Sequence, residues 1–423
     1  MPEQQKVYIA GGTTTPFDYP LNLQIEEMVA NCIRQLYTDV PEFHLKDVRE
    51  HGMVVYSHFS VHFAHQLTSY WILHDHLGLV GVPHFRIDNG GNTGGSALYA
   101  AYALVRAGLA DIVPVIGYEL MGSVSQSKGS EFIAIASDTR YEAMLGANYT
   151  NYYAGLARVF MEKYGLTEED FAEIAVKNKN NAAATGEKAQ HFRKLGEKKM
   201  TVDDVMNSRL ISYPLKKWDC CFMSEGAATV LVCNEQFAKQ YSPDHYVEIT
   251  GAGLSSCTIR AGDRYAFPGW TERYGEGYPG LGEFAACRHS AEIAFKMAGI
   301  EWKDSYKYLD VAEVHDAFST SEFQIYNALG WCESVTPKQF IQDRMPMMEG
   351  EIPTNPGGGL IGYGHPVGAT GLMSTIECYY QLGGLIPREH RSTENEVKDA
   401  EVGLVNSHAG TGTSISNFIL KRA

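Results

Sequence analysis

The sequence has no surplus of positive charge: 35 Lys and Arg stand against 50 Asp and Glu in 423 residues, a formal net charge of -15. Such a chain offers no broad basic surface for phosphates or anionic lipid, so neither nucleic acid nor a membrane surface is an expected partner. Long apolar runs are also missing, and none approaches the roughly 18 residues that a membrane-spanning helix needs. No basic segment followed by a long apolar stretch precedes VYIAGG, so no secretory signal is expected. Cysteine is sparse and scattered (Cys32, Cys220, Cys221, Cys233, Cys257, Cys287, Cys332 and Cys378), which does not describe a disulfide framework and fits a reducing cytoplasm.

What is present is a globular composition, 44% hydrophobic over 423 residues, enough for two or three packed units. Residues 86 to 120 read as glycine loop, helix and buried strand: RIDNGGNTGG, SALYAAYALVRAG, DIVPVIGYE. A comparable order recurs where NPGGGLIGYGHPVGATG precedes a helix-like segment and VGLVNSHAG reads as strand and turn. Duplicated α/β halves are therefore expected, residues 1-240 and 241-423, with an inserted helical subdomain at about 122-215. Within the insert, Thr167 followed by Glu168 and Asp170 marks a helix start. Residues 261 to 282, rich in glycine, proline and aromatics without periodicity, read as a lid or as a surface Ω-loop.

Four loops stand in fixed order: DNGGNTGG at 88 to 95, HDAF at 315 to 318, GHPVGATG at 364 to 371 and SHAGTG at 407 to 412. Together with PLKKWDCCFMSEGAATVL (214 to 231) they resemble the thiolase superfamily over nearly the whole chain. HDAF with a histidine is most similar to the sterol-carrier-protein-x branch. The resemblance implies a five-layered αβαβα fold of two similar halves, coenzyme A as substrate with no tightly bound cofactor, and a homodimer or higher oligomer. It also implies a small zinc-binding OB-fold partner subunit, as relatives in that branch use.

The family's nucleophilic cysteine sits in a loop like N-x-C-x-S-G at a helix N-terminus. Here Asn89 and Gly94 match that pattern, and the cysteine position falls on Gly91. The resemblance assigns His365 the family's activating role and His315 a place in an oxyanion hole. His408 stands where the last loop of relatives carries a cysteine, and is a candidate general acid or base. Gly364 and Gly410 support these loops. With no side chain at Gly91, the residues Gly91, Asn92 and Gly94 at the helix start are expected to form an anion pocket.

Other clusters compete. His58, His62 and His65 at i, i+4, i+7 could face one metal or be packed residues, and no metal is assigned. His74 and His76 read as a solvated helix end, and Cys220 and Cys221 as buried strand residues. Lys188, Arg193, Lys194, Lys198 and Lys199 read as a solvated face that could meet coenzyme A phosphates.

The expected activity is cleavage or formation of a carbon-carbon bond in an acyl-CoA without the usual cysteine. It is either thiolysis of a 3-oxoacyl-CoA or retro-aldol cleavage of a 3-hydroxyacyl-CoA, and cysteine-less relatives that act as aldolases on steroid side chains support the second by analogy. The 25 tyrosines are compatible with a bulky acyl chain from a degradation pathway. A non-catalytic acyl-CoA-binding or scaffolding subunit is the reading from another class.

Overall fold

The computed structural model describes residues 5–266, 269, 271–272, 282–383 and 392–423. Most of the 261 to 282 segment read as a lid or Ω-loop lies outside the described residues.

Nine strands form one sheet: β1 (Tyr8–Thr14), β2 (Val54–Ser57), β3 (His84–Ile87), β4 (Ile112–Leu120), β5 (Glu225–Cys233), β6 (Val247–Ser256), β7 (Val311–Glu313), β8 (Val402–Ala409) and β9 (Ser414–Arg422). Their order is β3-β2-β4-β5-β1-β6-β9-β8-β7, and the two sets of strands join where Tyr8 and Ile9 of β1 pair Glu248 and Val247 of β6. β5 is buried along its whole length, as expected of an apolar run covered on both faces.

Seven helices place the site: α1 (Ile25–Asp39), α2 (Thr93–Arg106), α3 (Tyr149–Tyr164), α4 (Glu168–Thr185), α5 (Ala285–Ala298), α6 (Gly359–Tyr363) and α7 (Val367–Gly383). α1 covers β1 and β5 on the outside of the first set of strands, and α5 covers β6 and β9 on the outside of the second. Between the sets run α2 and α7, each touching strands of both. The outcome is five layers, α1 outside, strands, α2 with α7, strands, α5 outside.

All but one of the 17 residues of α7 are buried, so its sequence (VGATGLMSTIECYYQLG) has no polar face. Small residues let it close on α2: a β-carbon on Gly94 would lie 2.9 Å from the α-carbon of Gly371, and one on Gly371 2.6 Å from the amide of Gly95. Between β4 and β5 the chain leaves the sheet and is largely helical. There α4 starts as its sequence predicts, the Thr167 hydroxyl accepting from Asp170 N and the Asp170 carboxylate accepting from Thr167 N at 2.7 Å. Among the described residues no helix is long and apolar enough to cross a membrane.

Candidate active site

The strand directions gather the four loops. β2 and β3 run parallel with Val54 opposite His84, and β7 runs parallel to β8 with Glu313 opposite Val405. Loops leaving the carboxyl ends of parallel neighbours emerge on one side of the sheet, where open α/β sheets place their ligands. His315 follows β7 by two residues and His408 is next to the last residue of β8. Asn89 to Asn92 lead directly into α2, and His365 precedes the first residue of α7 by two. Both central helices therefore begin at the same place.

The loop before α2 is tied from within. Gly90 has φ 56, Thr93 Oγ1 donates to the Gly90 carbonyl at 2.6 Å, and Asn89 Nδ2 donates to Ser96 Oγ (2.7 Å) and Ser414 Oγ (2.8 Å). Asn92 is fully buried, accepting from Ser416 Oγ at 2.7 Å and donating to Ser414 Oγ at 3.3 Å. Of Gly91, Asn92 and Gly94, the three residues of the expected anion pocket, Gly91 lines the cavity, while the Asn92 side chain bonds the two serines of β9 and Gly94 packs closely on Gly371.

The HDAF loop is held by buried polar contacts. Asn355 Oδ1 accepts from Val314 N at 2.7 Å, and the Asp316 carboxylate accepts from Leu360 N (2.5 Å) and Ile361 N (3.3 Å) in the first turn of α6 and from Asn178 Nδ2 (2.6 Å). Asp316 thereby locks the loop carrying His315 to the short helix that leads to His365. Gly364 turns the chain there with φ 120. His365 N donates to Ser224 Oγ at 2.9 Å. Thr370 Oγ1 donates to the Pro366 carbonyl at 2.9 Å, so its 2.8 Å contact with His365 Nδ1 is accepted from an Nδ1–H. Neutral His365 then keeps its lone pair on Nε2.

His408 lies opposite Ile415 in the β8–β9 pairing, just before a turn in which Gly410 has φ 64. The three imidazoles meet: the His315 ring centre is 4.2 Å from that of His408 and 5.2 Å from that of His365. A β-carbon on Gly91 would lie 3.5 Å from His315 Nε2. Tyr153 of α3 adds a phenol, its hydroxyl 2.7 Å from His408 Nε2 and 3.1 Å from the Gly410 carbonyl. Nothing in the sequence around Tyr153 marks it, because it sits among other tyrosines on an amphipathic helix far from every motif.

These groups line a cavity of about 370 Å³, together with Phe59, Met121, Met223 and Val367. Burial holds the histidines neutral: it lowers His365 to about 4, and with help from His365 and Arg264 it lowers His408 to about 3. His315 is pushed well below the usual imidazole value, by burial first and then by His408 and His365. Cys220 and Cys221 also line the cavity and are not strand residues, since they follow a 3-10 turn and precede β5. Burial raises the Cys221 thiol to about 12 and raises Cys220 too, so neither is a poised thiolate.

The remaining histidine clusters are packing. His58 is fully buried against Glu119, 3.4 Å away, and stacks on Tyr118, while His62 lies on a separate four-residue helix and His65 just beyond it. They share no helix face, and no cluster of metal-ligating side chains occurs among the described residues. His74 is buried rather than solvated, its Nδ1 3.0 Å from Tyr56 Oη and its ring stacked on His84. Of the basic run, Arg193, Lys198 and Lys199 pair with Asp18, Asp204 and Glu394, and Lys188 donates to the Thr14 carbonyl. Lys194 stands 5.4 Å from the centre of the Phe222 ring, which lines the cavity.

Comparison with known proteins agrees with this layout. Residues 7–236 match the family "Thiolase, N-terminal domain" and residues 277–422 the family "Thiolase C-terminal domain-like". An acetyl-CoA acetyltransferase of Methanothermobacter thermautotrophicus is 33% identical over 351 residues, 83% of each chain. The benzoylsuccinyl-CoA thiolase subunit BbsB of Thauera aromatica is 30% identical over 322 residues, 76% of each. Sterol carrier protein 2 of Gallus gallus is 32% identical over 345 residues, 78% of this chain and 58% of that protein. Among solved structures, the Ltp2-ChsH2(DUF35) aldolase superposes with a TM-score of 0.78 at 22% identity, covering 100% of this chain and 99% of that one. Human mitochondrial 3-ketoacyl-CoA thiolase superposes with 0.67 at 15% identity, covering 99% of each. Family match, relatives and fold coincide over nearly the full length, and the chain belongs to the thiolase family.

Proposed function

We propose that this thiolase-family chain breaks or forms the bond between C2 and C3 of an acyl-CoA through a thioester enolate, without a covalent acyl-enzyme. The observation that carries this is the convergence of His315, His365 and His408 on Gly91, a position with no side chain. An enolate needs a hydrogen-bond donor at the thioester oxygen and a base, and it needs no protein nucleophile.

In the retro-aldol direction His408 takes the proton of the 3-hydroxyl. The C2–C3 bond breaks as the C3 carbonyl forms, and its electron pair moves into the thioester enolate, whose oxygen accepts from an N–H of His315. The proton then returns from His408 to C2. Burial keeps the imidazoles neutral and ready to accept; negative charge growing on the enolate beside them offsets their reluctance to become cations. The apolar wall of Phe59, Met121, Met223 and Val367 suits a bulky acyl chain, and Lys194 beside Phe222 suits a coenzyme A phosphate.

A second reading, thiolysis of a 3-oxoacyl-CoA, is favoured by relatives named as an acetyltransferase and a thiolase subunit. There the thiol of free coenzyme A is the nucleophile, and Nε2 of His365 takes its proton. The relative named as a thiolase subunit and the neighbour solved with a DUF35 protein support a second subunit. We propose, on the family resemblance, that this subunit is a small zinc-binding OB-fold protein and that the chain forms a homodimer.

The test is a panel of 3-hydroxyacyl-CoA and 3-oxoacyl-CoA substrates, bulky ones included, with and without free coenzyme A and followed by mass spectrometry. Cleavage of a hydroxy substrate without coenzyme A is the expected result. Cleavage of an oxo substrate only with coenzyme A selects the second reading. Binding without turnover, even with a partner subunit supplied, overturns both in favour of a binding or scaffolding subunit.

A further inference from the structure

Tyr153 belongs to the helical segment between β4 and β5, yet its hydroxyl reaches the last loop of the chain. The phenol is buried, its ring stacked at 4.5 Å on Phe318 of the HDAF loop, and its oxygen lies 2.7 Å from His408 Nε2 and 3.1 Å from the Gly410 carbonyl, with the Ser321 hydroxyl also bonded to it. A phenol has one proton, and a carbonyl can only accept. The bonds to Gly410 and His408 form together in one arrangement only, in which Tyr153 donates to Gly410 and His408 Nε2–H donates to Tyr153.

That arrangement decides the state of the other ring nitrogen. A neutral imidazole with its hydrogen on Nε2 has its lone pair on Nδ1. Nδ1 of His408 is buried and has no hydrogen-bond partner among the described residues. Buried polar atoms are nearly always satisfied, and an exception calls for a reason. His408 lines the cavity, so the ring that carries this unpaired acceptor stands beside the space a bound molecule would occupy.

We propose that Tyr153 is a positioning residue for His408: by donating to Gly410 and accepting Nε2–H it fixes one tautomer and orientation of the imidazole, reserving Nδ1 as the proton acceptor. The kinetic consequence rests on the assignment of His408 as base made above; the tautomer does not. When Nδ1 takes a proton the ring becomes a cation with both nitrogens protonated, and the bond from Nε2–H to Tyr153 strengthens because its donor is now charged. The proton comes from the bound substrate and returns to it, so no further reactant is needed. Tyr153 touches no reacting atom in this role.

The test has two independent readouts. With 15N-histidine label and His408→Gln to assign the signal, the nitrogen shifts of the wild-type protein are expected to show His408 as the Nε2–H tautomer. In Tyr153→Phe, which keeps the ring stacked on Phe318, that preference is expected to be lost. The same variant is expected to lower kcat on the order of 10- to 100-fold with KM within about twofold, as a misaimed base does. A wild-type His408 found as the Nδ1–H tautomer overturns the proposal without any variant. So does a Tyr153→Phe protein that keeps the wild-type tautomer. A changed tautomer with unchanged kcat retains the positioning by Tyr153 and refutes His408 as the base, which separates failure of the functional reading from failure of this one.

Discussion

A β-carbon on Gly91 would stand 2.5 Å from the carbonyl oxygen of His408, inside van der Waals contact with backbone that β8 holds in place. The position lacks more than a thiol. The loop before α2 and the end of β8 have closed on each other until no side chain fits between them. Gly91→Cys is therefore expected not to yield an enzyme that works through a thioester: it should displace His408, lower turnover by about tenfold or more and cost about 1–3 kcal/mol of stability, the usual effect of overpacking. Intact-protein mass spectrometry after incubation with acyl-CoA, together with kinetics and melting, checks this. An acyl adduct on residue 91 with turnover retained would refute it.

His365 depends on Thr370 for its tautomer. In Thr370→Val the Nδ1–H loses its acceptor, at 2.8 Å in the native chain, while the volume of the side chain is nearly unchanged. Stability should fall by only about 1–3 kcal/mol, from the His365 Nδ1–H left without its acceptor and the lost bond from Thr370 Oγ1 to the Pro366 carbonyl, whereas thiolysis, where it is measured, should drop on the order of tenfold because Nε2 is no longer held as the acceptor. Parallel melting and single-turnover measurements separate the two effects. Equal kinetics in the variant would show that the tautomer does not matter.

The four loops were legible because each carries a residue order that few other folds need, and glycines mark where the backbone must turn or approach. Their convergence could be inferred only through the family resemblance, since nothing local brings residue 91 to residue 408. Two site features were illegible for physical reasons. Tyr153 reaches His408 across 255 residues of chain from a helix whose pattern is that of any packed helix. Asn92 and Gly94 sit in the motif, but whether a motif residue faces a cavity or a neighbouring strand depends on contacts with Ser416 and Gly371 that sequence spacing does not reveal. The doublet Cys220-Cys221 misled in the opposite direction, since apolar neighbours suggested a strand where the chain borders the cavity.

Stability should fall steeply in mild acid. His365 and His408 titrate at about 4 and about 3 when folded, against about 6.5 for histidine in an unfolded chain. Below about pH 6.5 the unfolded chain takes up protons that the folded chain refuses, so the stabilisation is complete above that pH and is lost as pH falls toward the folded values. Each such histidine contributes a slope of about 1.4 kcal/mol per pH unit in that window. Denaturant titrations between pH 7 and pH 4 measure the slope, and His365→Gln, which cannot take up the proton, should reduce it. An unchanged slope in that variant would mean that His365 is not held neutral by burial.

The lock between the HDAF loop and α6 rests on a buried charge cluster, and its weakest link is a lysine. Lys177 Nζ is 3.2 Å from Glu322 and donates to the Thr354 carbonyl at 2.7 Å; Glu322 also accepts from Asn178 and from Asn355 Nδ2 at 2.7 Å. Asp316, held well above the usual carboxylate range by burial and then by Glu322, shares Asn178 with it. Lys177→Met leaves Glu322 buried without its cation, which costs about 3–5 kcal/mol. Because Asp316 fixes the amides of Leu360 and Ile361 ahead of His365, the same change should loosen the spacing of His315 and His365 and reduce kcat. Adding Glu322→Gln removes the unpaired charge while keeping an acceptor for Asn178 and Asn355. The double variant should thus recover much of the lost stability, a non-additivity that only residues sharing one network display. A double variant no more stable than Lys177→Met alone would mean that Lys177 serves by packing its stem rather than by pairing its charge.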